Sequence, residues 1–318
     1  MSFLTLVIPL QLPPHNRFFQ DRLAPQKLLG FDARLRLEPP PGSAREAMLG
    51  PPPYAYLELQ QVPADQVNEV FESAVRCIKW AAVRLNTGIL ADREPLRRVD
   101  TQIFAGQFAT AYPAEMQANP IRVEGSERNG EPSNRLFAAL SEAASKAQIA
   151  SPSAKKTTLL ACEFFATADF EITSNSQFLM LCTVLEILAD PKQRPTLCIY
   201  LVEELLENIQ KAQTIASQDD TETSEALEGL QNAVVHYKKE SITTSIRKLG
   251  TKIARTLGDL EPEKMGKQAV ALYTKRNNLV HGGENVTSGD VSELRRLTRE
   301  ALAVEIGCYD HIREHFPA

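Results

Sequence analysis

The chain contains no apolar run approaching the roughly 18 to 20 residues that a membrane-spanning helix needs, which excludes an ordinary helical membrane protein. Its opening residues, Met1 to Leu12, have neither a basic segment before the apolar part nor a small-residue cleavage site. The expectation is therefore a cytoplasmic protein. Cysteine is scarce, odd in number and scattered: Cys77, Cys162, Cys182, Cys198 and Cys308. Such thiols in apolar, helix-like surroundings read as reduced core residues and not as a disulfide frame. Positive charge is also short, with a formal net charge of −5, so a protein that coats nucleic acid at large is excluded. Nor is there a convincing metal-ligand cluster. Cys308, His311 and His315 come nearest, but at i, i+3 and i+7 they spread three donors over two turns and reach one ion poorly. No metal or cofactor is expected.

What is present is 318 residues of ordinary apolar and charged content, enough for about two domains with real cores. Residues 1–133 read as an α+β domain. Leu4 to Leu12, Phe31 to Glu38 and Ala55 to Val62 alternate apolar and polar positions and are strand candidates, separated by the stiff Pro39–Gly42 and Pro51–Pro53 stretches. Asp65 is a candidate cap for a helix whose face is Val67, Val70, Phe71, Ala74, Ile78, Ala81 and Leu85, with the single tryptophan, Trp80, beside it. Further strands are expected at Val99 to Phe104 and Ile121 to Glu124. His15, in a turn-like setting, and the cluster Arg93, Arg97 and Arg98 read as solvated surface.

Residues 134–318 read as an all-α helical bundle. Helices are expected to open at Leu136 and after Ser153. A third, Gln177 to Leu188, is apolar around most of its circumference and capped by Ser174 or Ser176, which marks it as the central element. The strip Leu179, Thr183, Glu186 and Asp190 is its exception. Leu197 to Ala216 and Ser224 to Lys239, the latter carrying His236 on an ordinary face, form a helical hairpin. Ser241 to Leu257 follows, with Gly250 weakening its middle. A last helix runs from Ser288 to about His315.

The chemistry-bearing stretch is Lys275-Arg276-Asn277-Asn278-Leu279-Val280-His281-Gly282-Gly283. Apolar spacing from Pro262 predicts a helix that reaches His281 and stops at Gly282, the residue expected to turn left-handed. His281 then sits beside unpaired carbonyls, a setting suited to a proton-transfer group. Asn277, four residues earlier, shares its face and is placed to orient the ring. Arg276 is five residues away, hence about 140° around an α-helix, so one copy aims the two groups poorly at a single phosphate. Two copies about a two-fold axis would bring each motif opposite its twin.

Arg276-Asn277-x-x-x-His281, late in a helical region and followed by one more long helix, resembles the Arg-x4-6-His motif of the HEPN superfamily. The wording Leu-Tyr-x-x-Arg-Asn-x-x-Val-His-Gly-Gly is similar to its ApeA-like branch, and Phe178 to Leu188 resembles the family's apolar helix with an embedded Leu-Glu. The resemblance covers the chain from about Asn134 to its end and implies that residues 1–133 are a sensing or binding domain. It implies a metal-independent endoribonuclease, working in antiviral defence or as a toxin, as a homodimer with the motif at the two-fold interface and under a regulatory or antitoxin protein. Arg276 would hold phosphoryl oxygens, His281 would transfer protons and Asn277 would fix the imidazole. Glu186 would support them by pairing with Arg276 or holding His281.

Between Ser241 and His281 eight cations face three acids. Lys275, Arg247, Lys248, Lys252, Arg255 and Lys267 are thus candidate contacts to an RNA backbone. The competing reading is a HEPN dimer that binds RNA or scaffolds protein without cutting.

Overall fold

The computed structural model describes residues 2–13, 26–36, 54–91, 96–98, 109–113, 131–146, 155–216, 220–309 and 312. The first part is a mainly antiparallel sheet built on β1 (Phe3–Gln11). β4 (Tyr54–Pro63) pairs along one edge of β1, and β3 (Phe31–Arg36) and β2 (Gln26–Leu28) continue outward from it. The other edge of β1 is shared by β5 (Leu90–Ala91) and β7 (Thr110–Pro113), and β6 (Arg97–Arg98) runs parallel to β7. β1, β3 and β4 fall where alternation predicted them. β2, β5, β6 and β7 were not foreseen, because strands of two to four residues carry too little period to read. The strands expected at Val99 to Phe104 and Ile121 to Glu124, the bulk of the Arg93 cluster and His15 lie outside the described residues or their side chains do.

α1 (Val67–Leu85) packs its apolar face on the sheet. Asp65 does not cap it: Gln66 holds the N-cap position and gives no side-chain bond. At the far end Asn86, at φ 54°, stops the helix, its amide reaching the carbonyls of Ala82 and Val83. Asparagine tolerates this left-handed conformation better than most residues.

The second part is helical, with α2 (Glu131–Ser145), α3 (Lys156–Thr167) and a short 3₁₀ turn (Ala168–Phe170) leading to α4 (Ser174–Leu188). The cap of α4 is Thr173, whose hydroxyl accepts from the Ser176 amide at 3.1 Å, so the helix begins three residues before the expected Gln177. α5 (Thr196–Ile215) and α6 (Thr221–His236) form the expected hairpin, α7 (Ile242–Leu257) and α8 (Pro262–Asn277) pair closely, and α9 (Ser288–Ile306) closes the bundle. α9 ends earlier than the expected His315, because Gly307 at φ 77° takes the left-handed stop. Cys308 is buried just beyond it, and His311 and His315 are outside the described residues.

α4 touches α3, α7, α8 and α9, the central place its apolar circumference predicted. One buried cluster runs through both halves: Leu6, Ile8 and Leu57 of the sheet, Trp80 of α1, Phe137 of α2, Phe165 of α3 and Phe178 of α4 belong to it. α1 is the link, contacting the sheet on one side and α2, α3 and α9 on the other. No helix of the described residues is long and apolar enough to cross a membrane.

Gly250 does more than weaken α7. A Cβ there would lie 2.9 Å from the Met265 carbonyl oxygen, and one at Gly266 of α8 would lie 2.5 Å from Thr251 Oγ1 and 2.9 Å from the Arg247 carbonyl oxygen. Two glycines thus let α7 and α8 approach backbone to backbone. Gly266→Ala is expected to lower stability by about 1 to 2 kcal/mol, since overpacking outweighs the roughly 1 kcal/mol gained in helix propensity. Gly229→Ala in α6, where nothing lies within 4 Å, should instead raise it by up to about 1 kcal/mol. Urea midpoints of opposite sign check the pair.

Cys77, Cys162, Cys182 and Cys308 are buried, and Cys198 is half-buried. Burial pushes the Cys77, Cys162 and Cys182 thiols up to about 12, which keeps them protonated and unreactive. Ellman titration of the native chain at pH 8 should release one thiol quickly and the remaining four only in denaturant.

Candidate active site

α8 starts with Pro262 in its first turn, where a missing N–H costs no intrahelical bond, and buries Met265, Ala269, Leu272 and Tyr273. Its end differs from the expectation in one respect. After Asn277 the chain widens into a π-helical turn, Asn278–Gly282, closed by the Gly283 amide bonding the Asn278 carbonyl. Because the wider turn takes one more residue, the left-handed stop falls on Gly283, at φ 69°, and Gly282 stays inside the turn. Turns of this kind are rare and are enriched at functional sites.

The π turn changes the relation between the motif residues. In a winding with i→i+5 bonds, residues five apart come to within about 50° of each other instead of about 140°. With the turn occupying the path from Asn278 onward, Arg276 and His281 are brought nearer one face than an α-helix allows. Asn277 Oδ1 accepts from Arg276 Nη1 at 3.4 Å, and Asn277 makes no hydrogen bond to the imidazole, contrary to the expected orienting role. His281 is exposed and makes no hydrogen bond or ion pair with any described residue.

Arg276 is anchored from α4. Its Nε lies 3.6 Å from Glu186 Oε1, both side chains being 30% exposed. Tyr273, one turn earlier and buried, donates its hydroxyl to the same Oε1 at 2.8 Å. Burial together with this bond to Glu186 pushes the Tyr273 phenol up to about 12, so it remains a donor across the working range of pH. Tyr273, Glu186 and Arg276 thereby form a chain that sets where the guanidinium points. Sequence reading gave Glu186 and missed Tyr273, whose place in an apolar stripe hid its hydroxyl. Tyr273→Phe is expected to cost about 1.5 kcal/mol, as befits a hydrogen bond to a carboxylate, measured by urea unfolding.

The loop after the motif is tied down. Asn278 Nδ2 donates to Glu284 Oε2 at 3.0 Å, and Asn175 at the start of α4 accepts from the Val286 amide at 3.1 Å and donates to Asn285 Oδ1 at 2.8 Å. Thr287 and Asp290 then form a reciprocal cap on α9. Lys275 bonds Asp290, and these interactions hold the Asp290 carboxyl down near 2. Asn175 is a second residue that sequence reading passed over, since its partner lies 111 positions away.

The candidate RNA contacts do not converge on the motif. Lys275 is paired with Asp290, Lys248 with Glu240, Lys252 with Glu305 at 3.2 Å, and Arg255 with Glu263 at 3.0 Å. Three of those carboxylates stand outside the window in which charge was counted, so the basic surplus read from sequence is largely neutralised in space. Arg247 and Lys267 are exposed and make no ion pair among the described residues. Lys267 lies nine residues before Arg276, half a turn away around α8. His236 is exposed near the end of α6, remote in the chain from the motif. Among the described residues no group of three or more His, Cys, Asp or Glu side chains suits a metal ion.

No protein-family model matches the chain, and no curated protein and no solved structure matches it either.

Proposed function

We propose that the chain is a metal-independent endoribonuclease of the HEPN kind, acting in antiviral defence or as a toxin, with its site completed by a second copy. The observation that carries this reading is the exposed end of α8. A guanidinium steadied by Glu186 stands there next to a π turn bearing an uncommitted imidazole. RNA brings its own nucleophile, the 2′-hydroxyl. The protein needs only a base, an acid and a cation opposite the charge growing on phosphorus. His281 would move the protons, with the two copies sharing acid and base work, and Arg276 would hold the phosphoryl oxygens through its planar fork. The products would end in 2′,3′-cyclic phosphate and 5′-hydroxyl, and DNA would resist.

The test is incubation of the purified chain with total RNA in EDTA, beside His281→Ala and Arg276→Ala. Cutting that survives the chelator and is lost in both variants supports the enzyme. The paired state of Lys248, Lys252, Arg255 and Lys275 favours the second reading, a HEPN-like dimer that scaffolds a protein or holds RNA without cutting. RNA binding equal in all three proteins, with no cleavage, would decide for it.

A further inference from the structure

One end of the bundle, where α3, α5 and α7 begin, gathers cations from segments far apart in the chain. Glu305, in the last turn of α9, is shared by Lys155 and Lys252, at 2.6 and 3.2 Å. Asp190, just past α4, is bonded by Lys192 and also faces Lys239 and Lys155, which together hold its carboxyl below the usual range. Glu240 is bonded by Lys248, and its amide donates to the Lys192 carbonyl at 2.9 Å. Arg194 donates through Nε to the Lys239 carbonyl at 2.9 Å, and neither Arg194 nor the exposed Lys239 bonds a carboxylate among the described residues. Six cations thus meet three acids, a surplus of three in a chain whose formal net charge is −5. Lys155, Lys192, Arg194 and Lys239 stand outside the stretch in which the sequence placed its RNA contacts, and they restore the surplus that Lys248 and Lys252 lack on their own. The backbone carries the same sign, since α3, α5 and α7 bring their N-terminal ends here and none has an acid in its first turn.

We propose that this end of the bundle holds the phosphate backbone of an RNA strand and leads it to Arg276, an inference that rests on the reading of RNA as the ligand of the motif. Position supports it. Glu186, which pairs with Arg276, stands four residues before Asp190, and four residues span at most about 14 Å. A strand held by the lysines around Asp190 therefore reaches the guanidinium within a few nucleotides. The order of charges favours a chain of phosphates over a single anion. With a carboxylate between neighbouring cations they form no one cradle, whereas successive phosphates of a flexible strand can each meet one of them. Lysines suit that task, because an ammonium on a flexible stem is a point charge that grips phosphate without reading sequence. A flat anionic membrane fits worse. α5 leaves this end bearing Glu203, Glu204 and Glu207, which a broad surface would meet and a strand can bypass.

The experiment is fluorescence anisotropy of a labelled oligoribonucleotide in EDTA over a salt series, with the full-length chain carrying His281→Ala to prevent cutting. It is run on that chain alone and combined with Lys192→Ala/Lys239→Ala, Lys192→Arg/Lys239→Arg or Lys264→Ala/Lys267→Ala, while cutting by the wild type is followed in parallel. Lys264 and Lys267 are exposed near the start of α8, beside the far end of α7, and their loss changes the net charge equally. Lys192→Ala/Lys239→Ala is expected to weaken binding about tenfold and to lower the slope of log affinity against log salt by about 1.4, since each phosphate contact on a single strand contributes about 0.7. The arginine pair and the α8 pair should bind as the chain with His281→Ala alone does, with unchanged circular dichroism melts throughout. Binding that survives Lys192→Ala/Lys239→Ala, that falls equally in the α8 pair, or that arginine does not restore would overturn the surface and leave any cutting by the wild type as separate support for the nuclease. A wild type that never cuts, with binding that depends on Lys192 and Lys239, would remove the nuclease and keep the surface. No binding of RNA at all would overturn both.

Discussion

If the chain cleaves RNA as proposed, replacing His281 by alanine is expected to slow that cleavage by about 10² to 10⁴, and replacing Arg276 by alanine by about 10² to 10³, with native unfolding transitions in both variants. The separation of chemistry from stability follows from where the two side chains sit. His281 is exposed and makes no hydrogen bond or ion pair with the described residues, so its removal opens no core and breaks no bond. Arg276 loses one ion pair at 3.6 Å between partly exposed groups, worth below about 1 kcal/mol. Arg276→Lys should recover little of the rate, because an ammonium cannot reproduce the two parallel N–H bonds that a planar fork offers a phosphoryl group. Gel assays of a labelled oligoribonucleotide, with the 3′ end tested for cyclic phosphate, measure the effect. A His281→Ala protein that cuts as fast as the wild type would remove the imidazole from the mechanism.

The largest effect on stability is expected at Arg295, which has no contact with Arg276 or His281 among its bonds to the described residues. Its guanidinium grips Asp169 with two bonds, Nη1 to Oδ1 at 2.6 Å and Nη2 to Oδ2 at 2.8 Å, donates through Nε to Asn86 Oδ1 at 3.0 Å, and lies 4.4 Å over the ring of Phe165. Asp169 also accepts from the Gly88 amide. A single side chain of α9 therefore fastens the end of α1 to the turn after α3. Arg295→Leu is expected to cost about 3 kcal/mol, the scale seen when one partner of a largely buried pair is removed, against a total stability of about 5 to 15 kcal/mol.

The pH dependence of that loss has a definite sign. Burial already pushes the Asp169 carboxyl upward, and Arg295 is the main influence pulling it back. Without Arg295 the folded state favours the protonated acid further. A group whose folded pKa lies above its unfolded value contributes its stability below the unfolded pKa and loses it as pH rises through the folded one. Arg295→Leu should accordingly be hurt less at pH 5 than at pH 8, as urea unfolding at the two values would measure. Adding Asp169→Asn should recover part of the loss, because the stranded charge is gone.

How far these features could be read from sequence depends on their reach along the chain. α1, α4, α7 and α8 follow from apolar spacing inside one element, and Glu186 surfaced because it interrupts such a spacing. The Asp169 to Arg295 grip spans 126 positions and left no local trace. The paired lysines misled for the same reason, since Glu305 and Asp290 belong to a helix outside the stretch in which charge was summed. The π turn escaped because periodicity assumes one winding throughout. Its only sign was the doubled glycine, and that sign misplaced the stop by one residue. Gly250 was legible as a cost to its helix but not as the means of a close crossing, which becomes visible only when Gly266 faces it.

The place of α1 has a practical bearing on how the chain can be divided. A truncation starting at residue 134 would not release an autonomous helical half, because it would strip Trp80 and Ile78 from Phe137, Leu140 and Phe165, which share their cluster. It would also leave Arg299 without the Val83 and Arg84 carbonyls that it bonds at 3.2 and 3.0 Å. An expression clone meant to yield a soluble fragment must begin upstream of Val67 and carry that helix with it.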